Sequence, residues 1–265
     1  MKYLYFPGCS LKSSGKLYEM SLLSVLKKLD VEVEELKDWN CCGATNYISI
    51  NENYAIEITS RNLAIAEKQG GHDLMVPCAA CFMGLLKTKN YVATDPEIRQ
   101  KVCKALTQNG LSCNFTVNVR HPLDIIVNEI GLDKIKEAIN VKLNGKKVAC
   151  YYGCQLVRPF SPFDNVNNPH TMDDIMKAIG ADPIDWPLKT RCCSGSMTST
   201  MPEIGERMNY VLLKEAKMRG AEAILTACPL CQFNLECFQG KISRKFKEDV
   251  RMPIMYFTQI MGMAF

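Results

Sequence analysis

Tyr3-Leu4-Tyr5-Phe6-Pro7-Gly8-Cys9 and Val148-Ala149-Cys150-Tyr151-Tyr152-Gly153-Cys154 state one pattern twice: a short apolar, aromatic run that stops at Gly-Cys. Such a run reads as a buried strand that delivers a cysteine at its end. Further along, Cys9 is followed by the adjacent pair Cys41-Cys42 and then by Cys78 and Cys81 in Cys-Ala-Ala-Cys. Cys154 is followed by Cys192-Cys193 and by Cys228 and Cys231 in Cys-Pro-Leu-Cys. One duplicated pattern therefore accounts for ten of the fourteen cysteines, and the chain is an internal repeat over nearly its whole length.

The segments between the cysteines repeat as well. Apolar residues at helical spacing across 21–29, and again across 172–179, place a helix after each Gly-Cys strand. Longer helices are predicted over 54–69, ending at Gly70-Gly71, and over 202–219, ending at Gly220, as a glycine C-cap requires. Each runs into a strand, 74–76 or 223–225, that leads to the CxxC step. Val119-Arg120-His121-Pro122-Leu123 and Val250-Arg251-Met252-Pro253-Ile254 close the two copies, each before a last short helix. Strands alternating with helices predict an α/β fold: two tandem pseudo-symmetric repeats, each with a mainly parallel sheet flanked by helices and a five-cysteine site. The linker is 142–147, with Asn144-Gly145 as its turn, which divides the chain into repeats at 1–143 and 144–265.

Composition narrows the function classes. The 265 residues are 47% hydrophobic, which suits a globular protein. No apolar run approaches the roughly 18 residues of a membrane span and the first residues lack an apolar signal core, so a cytoplasmic location is expected. The formal charge of +4 is spread among alternating acidic and basic residues, without the clustered stripe of a nucleic-acid surface. Fourteen cysteines in such a chain point to metal or redox chemistry, because cytosolic thiols stay reduced.

A tetrahedral zinc takes four sulfurs, commonly from two short CxxC-like steps. Each half here offers five, and two adjacent cysteines in extended backbone face opposite ways, which is awkward for one ion. Soft thiolates from three separated segments suit an iron–sulfur cluster, whose several irons accept neighbouring sulfurs. Gly8, Gly43, Gly153 and Gly195 are expected to let the backbone approach the cluster and offer it amides. Two zinc sites with one spare thiol each, forming a structural scaffold, is the competing reading. A pair of thioredoxin-like CxxC dithiols is another, but it leaves the Cys-Cys pairs unexplained.

FPGC, CCGA and PCAAC in the first half, with YYGC, CCSGS and ACPLC in the second, resemble the paired CCG motifs of the B subunit of heterodisulfide reductase, in the cysteine-rich domain family. The resemblance spans both halves; the second copy departs from it in reading Cys-Cys-Ser-Gly for Cys-Cys-Gly. It implies that Cys9, Cys41, Cys42, Cys78 and Cys81 hold one noncubane [4Fe-4S] cluster and that Cys154, Cys192, Cys193, Cys228 and Cys231 hold a second. It also implies an oxidoreductase subunit that reductively cleaves a disulfide, CoM-S-S-CoB or an analogue. The implied partners are a ferredoxin-like iron–sulfur subunit and a flavin-containing, electron-bifurcating subunit. Related CCG proteins imply an alternative, an electron-relay subunit of a lactate-, glycolate- or succinate-oxidising complex.

The remaining residues are given quieter roles. Cys103, Cys113, Cys150 and Cys237 have no counterparts in the other copy and are read as small structural hydrophobes. His72 is read as a surface residue, and His121 and His170 as hydrogen-bonded loop residues. The run from Pro253 to Phe265 is read as a core segment. Arg158, Lys189 and Arg191 form a basic cluster near the second motif, either solvated or facing an anionic substrate or partner.

Overall fold

The computed structural model describes residues 1–44 and 46–265. It contains two four-stranded sheets, one per sequence repeat, and every strand pair in them is parallel. In the first sheet β1 (Lys2–Tyr5), β2 (Glu32–Glu35), β3 (Leu74–Met75) and β4 (Val119–Arg120) stand in the order β2-β1-β3-β4. In the second, β5 (Lys147–Tyr151), β6 (Asp182–Pro183), β7 (Ala223–Thr226) and β8 (Ile254–Tyr256) repeat it as β6-β5-β7-β8. This order has a physical consequence. The chain runs outward from β1 to β2 and then returns to the far side of β1, so the connections diverge between β1 and β3, and likewise between β5 and β7. In an open parallel sheet the crevice beyond the strand ends at such a point is where ligands bind. Cys9, Cys78 and Cys81 follow β1 and β3 there, and Cys154, Cys228 and Cys231 follow β5 and β7.

The central strands are buried on both faces, as parallel strands are: Leu4, Leu74, Met75, Ala149, Cys150, Ile224 and Leu225 expose nothing. The expected helices occupy Lys16–Lys28, Glu52–Lys68, Thr171–Ala178 and Pro202–Met218. The outer strands β2 and β6 carry no apolar run, only Glu-Val-Glu-Glu and Asp-Pro, and sequence periodicity does not reveal them. Their place is set by pairing with β1 and β5.

The chain packs as two compact units, residues 1–13 with 30–122, and residues 14–29 with 123–265. Residues 14–29 belong to the first repeat in sequence and to the second unit in packing. The reason lies in the apolar face of the helix Lys16–Lys28. Tyr18 stacks on Tyr256 with ring centroids 4.5 Å apart, and Ser21 and Thr258 share a hydrogen bond of 2.7 Å. The helix Phe257–Ala264 that receives it is buried through Phe257, Ile260, Met261 and Ala264, so the end of the chain is a core segment.

Cysteines outside the repeat differ from expectation. Cys150 is fully buried, as read, but Cys237 is exposed, and Cys103 and Cys113 are joined in a disulfide with Cα atoms 5.3 Å apart. The helix Pro96–Gln108 ends at Asn109-Gly110, and the turn there folds the following residues back beside Cys103.

Candidate metal centres

Each unit gathers its own five cysteines. In the first, Cys9 lies in the short helix Gly8–Leu11 after β1, Cys41 and Cys42 on the loop after β2, and Cys78 and Cys81 at the start of the helix Ala79–Thr94. Cys42 Sγ is 3.1 Å from Cys81 Sγ. Cys41 interacts with Cys42 and Cys9, and Cys81 with Cys42 and Cys78, so all five sulfurs are linked. In the second unit Cys154 is hydrogen-bonded with Cys192 and feels the charge of Cys193 and Cys228, and Cys231 is hydrogen-bonded with Cys193 and Cys228. Among the described residues no three His, Cys, Asp or Glu side chains converge in the geometry of one bound ion.

Crowding makes neighbouring thiols share protons. In the first set Cys42 is held down to about 4 by its hydrogen bonds with Cys41 and Cys81, and those two thiols are pushed up. In the second set Cys192 plays that part, held down to about 3 by Cys154 and Cys193, while those two are pushed up. Backbone amides add to this. Gly43 and Ala44 present their N–H groups to Cys41 and Cys42, and Ser194 and Gly195 present theirs to Cys192 and Cys193. A sulfur that accepts an N–H is favoured as thiolate, the form that binds metal.

Two glycine positions explain how the backbone closes in. Gly8 and Gly153 hold φ of +66° and +70°, and a Cβ there would stand 2.9 Å from Cys81 Sγ and 3.1 Å from Cys231 Sγ. Only glycine leaves the sulfur its place at an unstrained backbone. The other two glycines expected to approach the cluster do so through their N–H groups and not by making room for a sulfur. A Cβ on Gly43 would face Ala55, and one on Gly195 would meet nothing within 4 Å. The Cys-Cys-Ser departure preserves the turn, because Ser194 takes φ of +77° where Gly43 takes +70°. Gly8→Ala and Gly153→Ala are each expected to cost about 1–2 kcal/mol from the left-handed backbone alone. The closer contact at Cys81 should make Gly8→Ala the worse of the two, in melting temperature and in bound iron.

Polar side chains brace both sites. Asn40 donates to the carbonyls of Cys41 and Ile58 and is gripped through its backbone by Asn62, while Thr59 donates to the carbonyl of Cys42. Asn234 does the equivalent work in the second unit, donating to the carbonyls of Cys193 and Gly195 at 3.2 and 2.8 Å. His121 is buried with Nε2 3.0 Å from the carbonyl oxygen of Pro77, and so steadies the residue before Cys78. His170 lies at the surface with Nδ1 2.7 Å from Asp174, remote from any ligand role, and His72 is exposed.

The basic cluster near the second motif separates into three roles. Lys189 is neither solvated nor free to attract an anion: it is buried, 3.0 Å from Asp173 and 3.1 Å from the Pro169 carbonyl. Its own carbonyl accepts the amides of Tyr152 and Gly153, just before Cys154. Arg158 donates to the carbonyl and hydroxyl of Thr190. Arg191 is exposed. Sequence reasoning missed the bracing roles of Lys189, Asn40, Asn62, Thr59 and Asn234, since lone polar residues carry no motif.

Residues 3–86 and 148–236, the two segments that carry these sulfurs, each match the family described as the cysteine-rich domain, CCG. The chain belongs to the cysteine-rich domain family. Among curated relatives, this cysteine-rich protein is 27% identical to the B subunit of the ferredoxin/F(420)H(2)-dependent CoB-CoM heterodisulfide reductase of Methanosarcina acetivorans, over 99% of this chain and 89% of that one. It is 28% identical to a protein of Archaeoglobus profundus described as like the B subunit of heterodisulfide reductase, over 100% and 90%. It is also 25% identical to the 8-methylmenaquinol:fumarate reductase membrane anchor subunit of Wolinella succinogenes, over 99% and 92%. No helix among the described residues is long and apolar enough to cross a membrane. A solved structure of a hypothetical protein from Helicobacter pylori shares the fold, with a TM-score of 0.76 at 15% identity, covering 99% of this chain and 48% of that longer one. Over nearly its whole length, then, the chain is similar to B subunits of heterodisulfide reductases.

Proposed function

We propose that this chain is the iron–sulfur catalytic subunit of a cytoplasmic heterodisulfide reductase-type complex. Its ten repeat cysteines hold two noncubane [4Fe-4S] clusters, and it receives electrons from a ferredoxin-like partner that a flavin-containing bifurcating subunit serves. The observation that carries the reading is the twofold gathering of five sulfurs at a sheet switch point, each set closed by a glycine that leaves no room for a Cβ. The donor set fits such a cluster, because soft thiolates are its ordinary ligands and amides directed at the sulfurs tune its potential.

When bound, the clusters supply the two electrons that cleavage of one disulfide needs, RSSR plus two electrons and two protons giving two RSH. The chain's own residues do the rest. The amides of Gly43, Ala44, Ser194 and Gly195 favour thiolate at the cysteine pairs, and Asn40 and Asn234 hold those pairs in place. The half-exposed to exposed Cys9, Cys41, Cys154 and Cys192 mark the side of each set that a substrate reaches, whereas Cys42, Cys78, Cys81, Cys193, Cys228 and Cys231 are buried.

The relative from Wolinella succinogenes, a subunit of a menaquinol:fumarate reductase, favours a second reading, an electron-relay CCG subunit exchanging electrons with a quinone. One experiment separates the two. Anaerobically purified protein is reduced with dithionite, freed of reductant, and mixed with CoB-CoM heterodisulfide or with a menaquinone analogue. Reoxidation by the disulfide with release of two thiols per molecule is expected. Reoxidation by the quinone alone would transfer the assignment to the relay.

A further inference from the structure

A cavity of about 970 Å³ lies wholly within the second unit, between the helices Pro202–Met218 and Gln239–Phe246, and opens on Cys154 and Cys192. That volume falls in the range of roughly 300–1,000 Å³ usual for small-molecule sites. One wall is apolar, made by Ile204, Met208 and Val211 with Phe246 opposite. Ile204 and Val211 are 41% and 46% exposed, so this surface is not used by the core.

Charge identifies what the cavity would take. Two of its cations are already committed: Arg158 to Thr190, and Lys245 to Glu206 at 2.7 Å. Arg191 and Arg207 are different, because among the described residues neither guanidinium has a hydrogen-bond or carboxylate partner. Glu203, one turn before Arg207 on the same helix, is the acidic residue of the lining and leaves the cations in excess. A guanidinium offers a planar fork matched to a carboxylate or another oxyanion.

The first repeat supplies an internal control. The matching groove, between the helices Glu52–Lys68 and Pro96–Gln108, measures about 410 Å³ and is lined by no cysteine. Counted back from the glycines that end the two long helices, Gly70 and Gly220, Glu57 occupies the place of Arg207 and Arg61 that of Val211. Arg61 is tied to Asp38 and Asn40. Duplication therefore left one groove small, neutral and closed off from sulfur, and made the other larger, basic and open to it.

We infer that the groove of the second repeat, and not that of the first, binds an amphipathic organic anion, with Arg191 and Arg207 as its specificity residues and its apolar body against Ile204, Val211 and Phe246. That this ligand is the substrate delivered to the second sulfur set rests on the proposed function; the binding itself does not. The test is calorimetric titration of the anaerobic holoprotein with octanoate and, separately, with octanamide. Saturable octanoate binding is expected, with octanamide weaker by about tenfold or more, as loss of a charge-assisted hydrogen bond implies. Arg207→Glu, which installs the first repeat's residue at an exposed position, should weaken octanoate by a similar factor at unchanged iron content. Glu57→Arg in the other groove should change nothing. No octanoate binding, equal binding of octanamide, or binding insensitive to Arg207→Glu would overturn the inference. Iron content is read in the same samples, so failure of the cluster assignment appears separately as protein without iron.

Discussion

Replacing Cys78 and Cys81 together by serine is expected to remove half of the iron and half of the acid-labile sulfide, from about eight to about four of each per chain, and to leave the second set loaded. The division should be clean because each set of five sulfurs lies within one compact unit. Cys228→Ser with Cys231→Ser should give the complementary loss. Serine keeps the volume at positions that are buried, so a fall in iron with the fold intact by circular dichroism reads the ligand role alone. Cys103→Ser with Cys113→Ser is the control and should leave iron unchanged, since that pair is a disulfide outside both sets. Zinc in place of iron, about two per chain and without sulfide, would establish the scaffold reading instead.

Lys189→Met is expected to destabilise the protein by about 3–5 kcal/mol, because it strands a buried carboxylate. Lys189 and Asp173 side chains are 8% and 10% exposed and 3.0 Å apart. The Asp173 carboxylate also accepts the Tyr152 hydroxyl at 2.5 Å, and that hydroxyl in turn accepts the amides of Met172 and Asp173. The network ties the end of β5, the start of the helix Thr171–Ala178 and the loop before Cys192 into one piece. Chemical denaturation measures the loss, and Asp173→Asn added to Lys189→Met should recover part of it, since the stranded charge is then gone.

The pH dependence has a definite sign. Burial pushes the Asp173 carboxyl up from its ordinary value, against the opposing pull of Tyr152 and Lys189. A carboxyl raised in the folded state binds more protons there than in the unfolded state, so its contribution to stability falls as pH rises from the ordinary carboxylate value through the raised one. Removing Lys189 strengthens that trend, so the variant should lose less stability relative to the parent at acidic pH than at neutral pH. A deficit that is flat across the carboxylate range would show that Asp173 is not the group left stranded.

Much of the site is written in the chain. The ten cysteines are legible because the pattern occurs twice, which no single CxxC provides, and the Gly-Cys ends of β1 and β5 are legible because an apolar run stops at a glycine. The positive φ of Gly8 and Gly153 gives that glycine its physical meaning. The α/β class follows from alternating periodicities, and the sheets are wholly parallel. The strands β2 and β6 are not legible, since Glu-Val-Glu-Glu and Asp-Pro have no apolar period and are strands only because a neighbouring edge pairs with them.

Tertiary structure alone decided what depends on contacts between distant residues. It buried Lys189, which reads from sequence as one of a basic cluster, because the partner that makes burial tolerable is Asp173 on another element. It joined Cys103 to Cys113, and it packed the helix Lys16–Lys28 against the far end of the chain through Tyr18 and Tyr256. It also left Arg191 and Arg207 unpaired beside Cys154 and Cys192, among the described residues, while pairing Arg61 in the matching groove. Sequence by itself determined which atoms are available as ligands and in what order the strands deliver them, because those are local properties of residue type and spacing. Which charges are neutralised, which helices exchange partners and which groove opens on sulfur are properties of the packed chain, because each depends on where a second, sequence-distant group comes to rest.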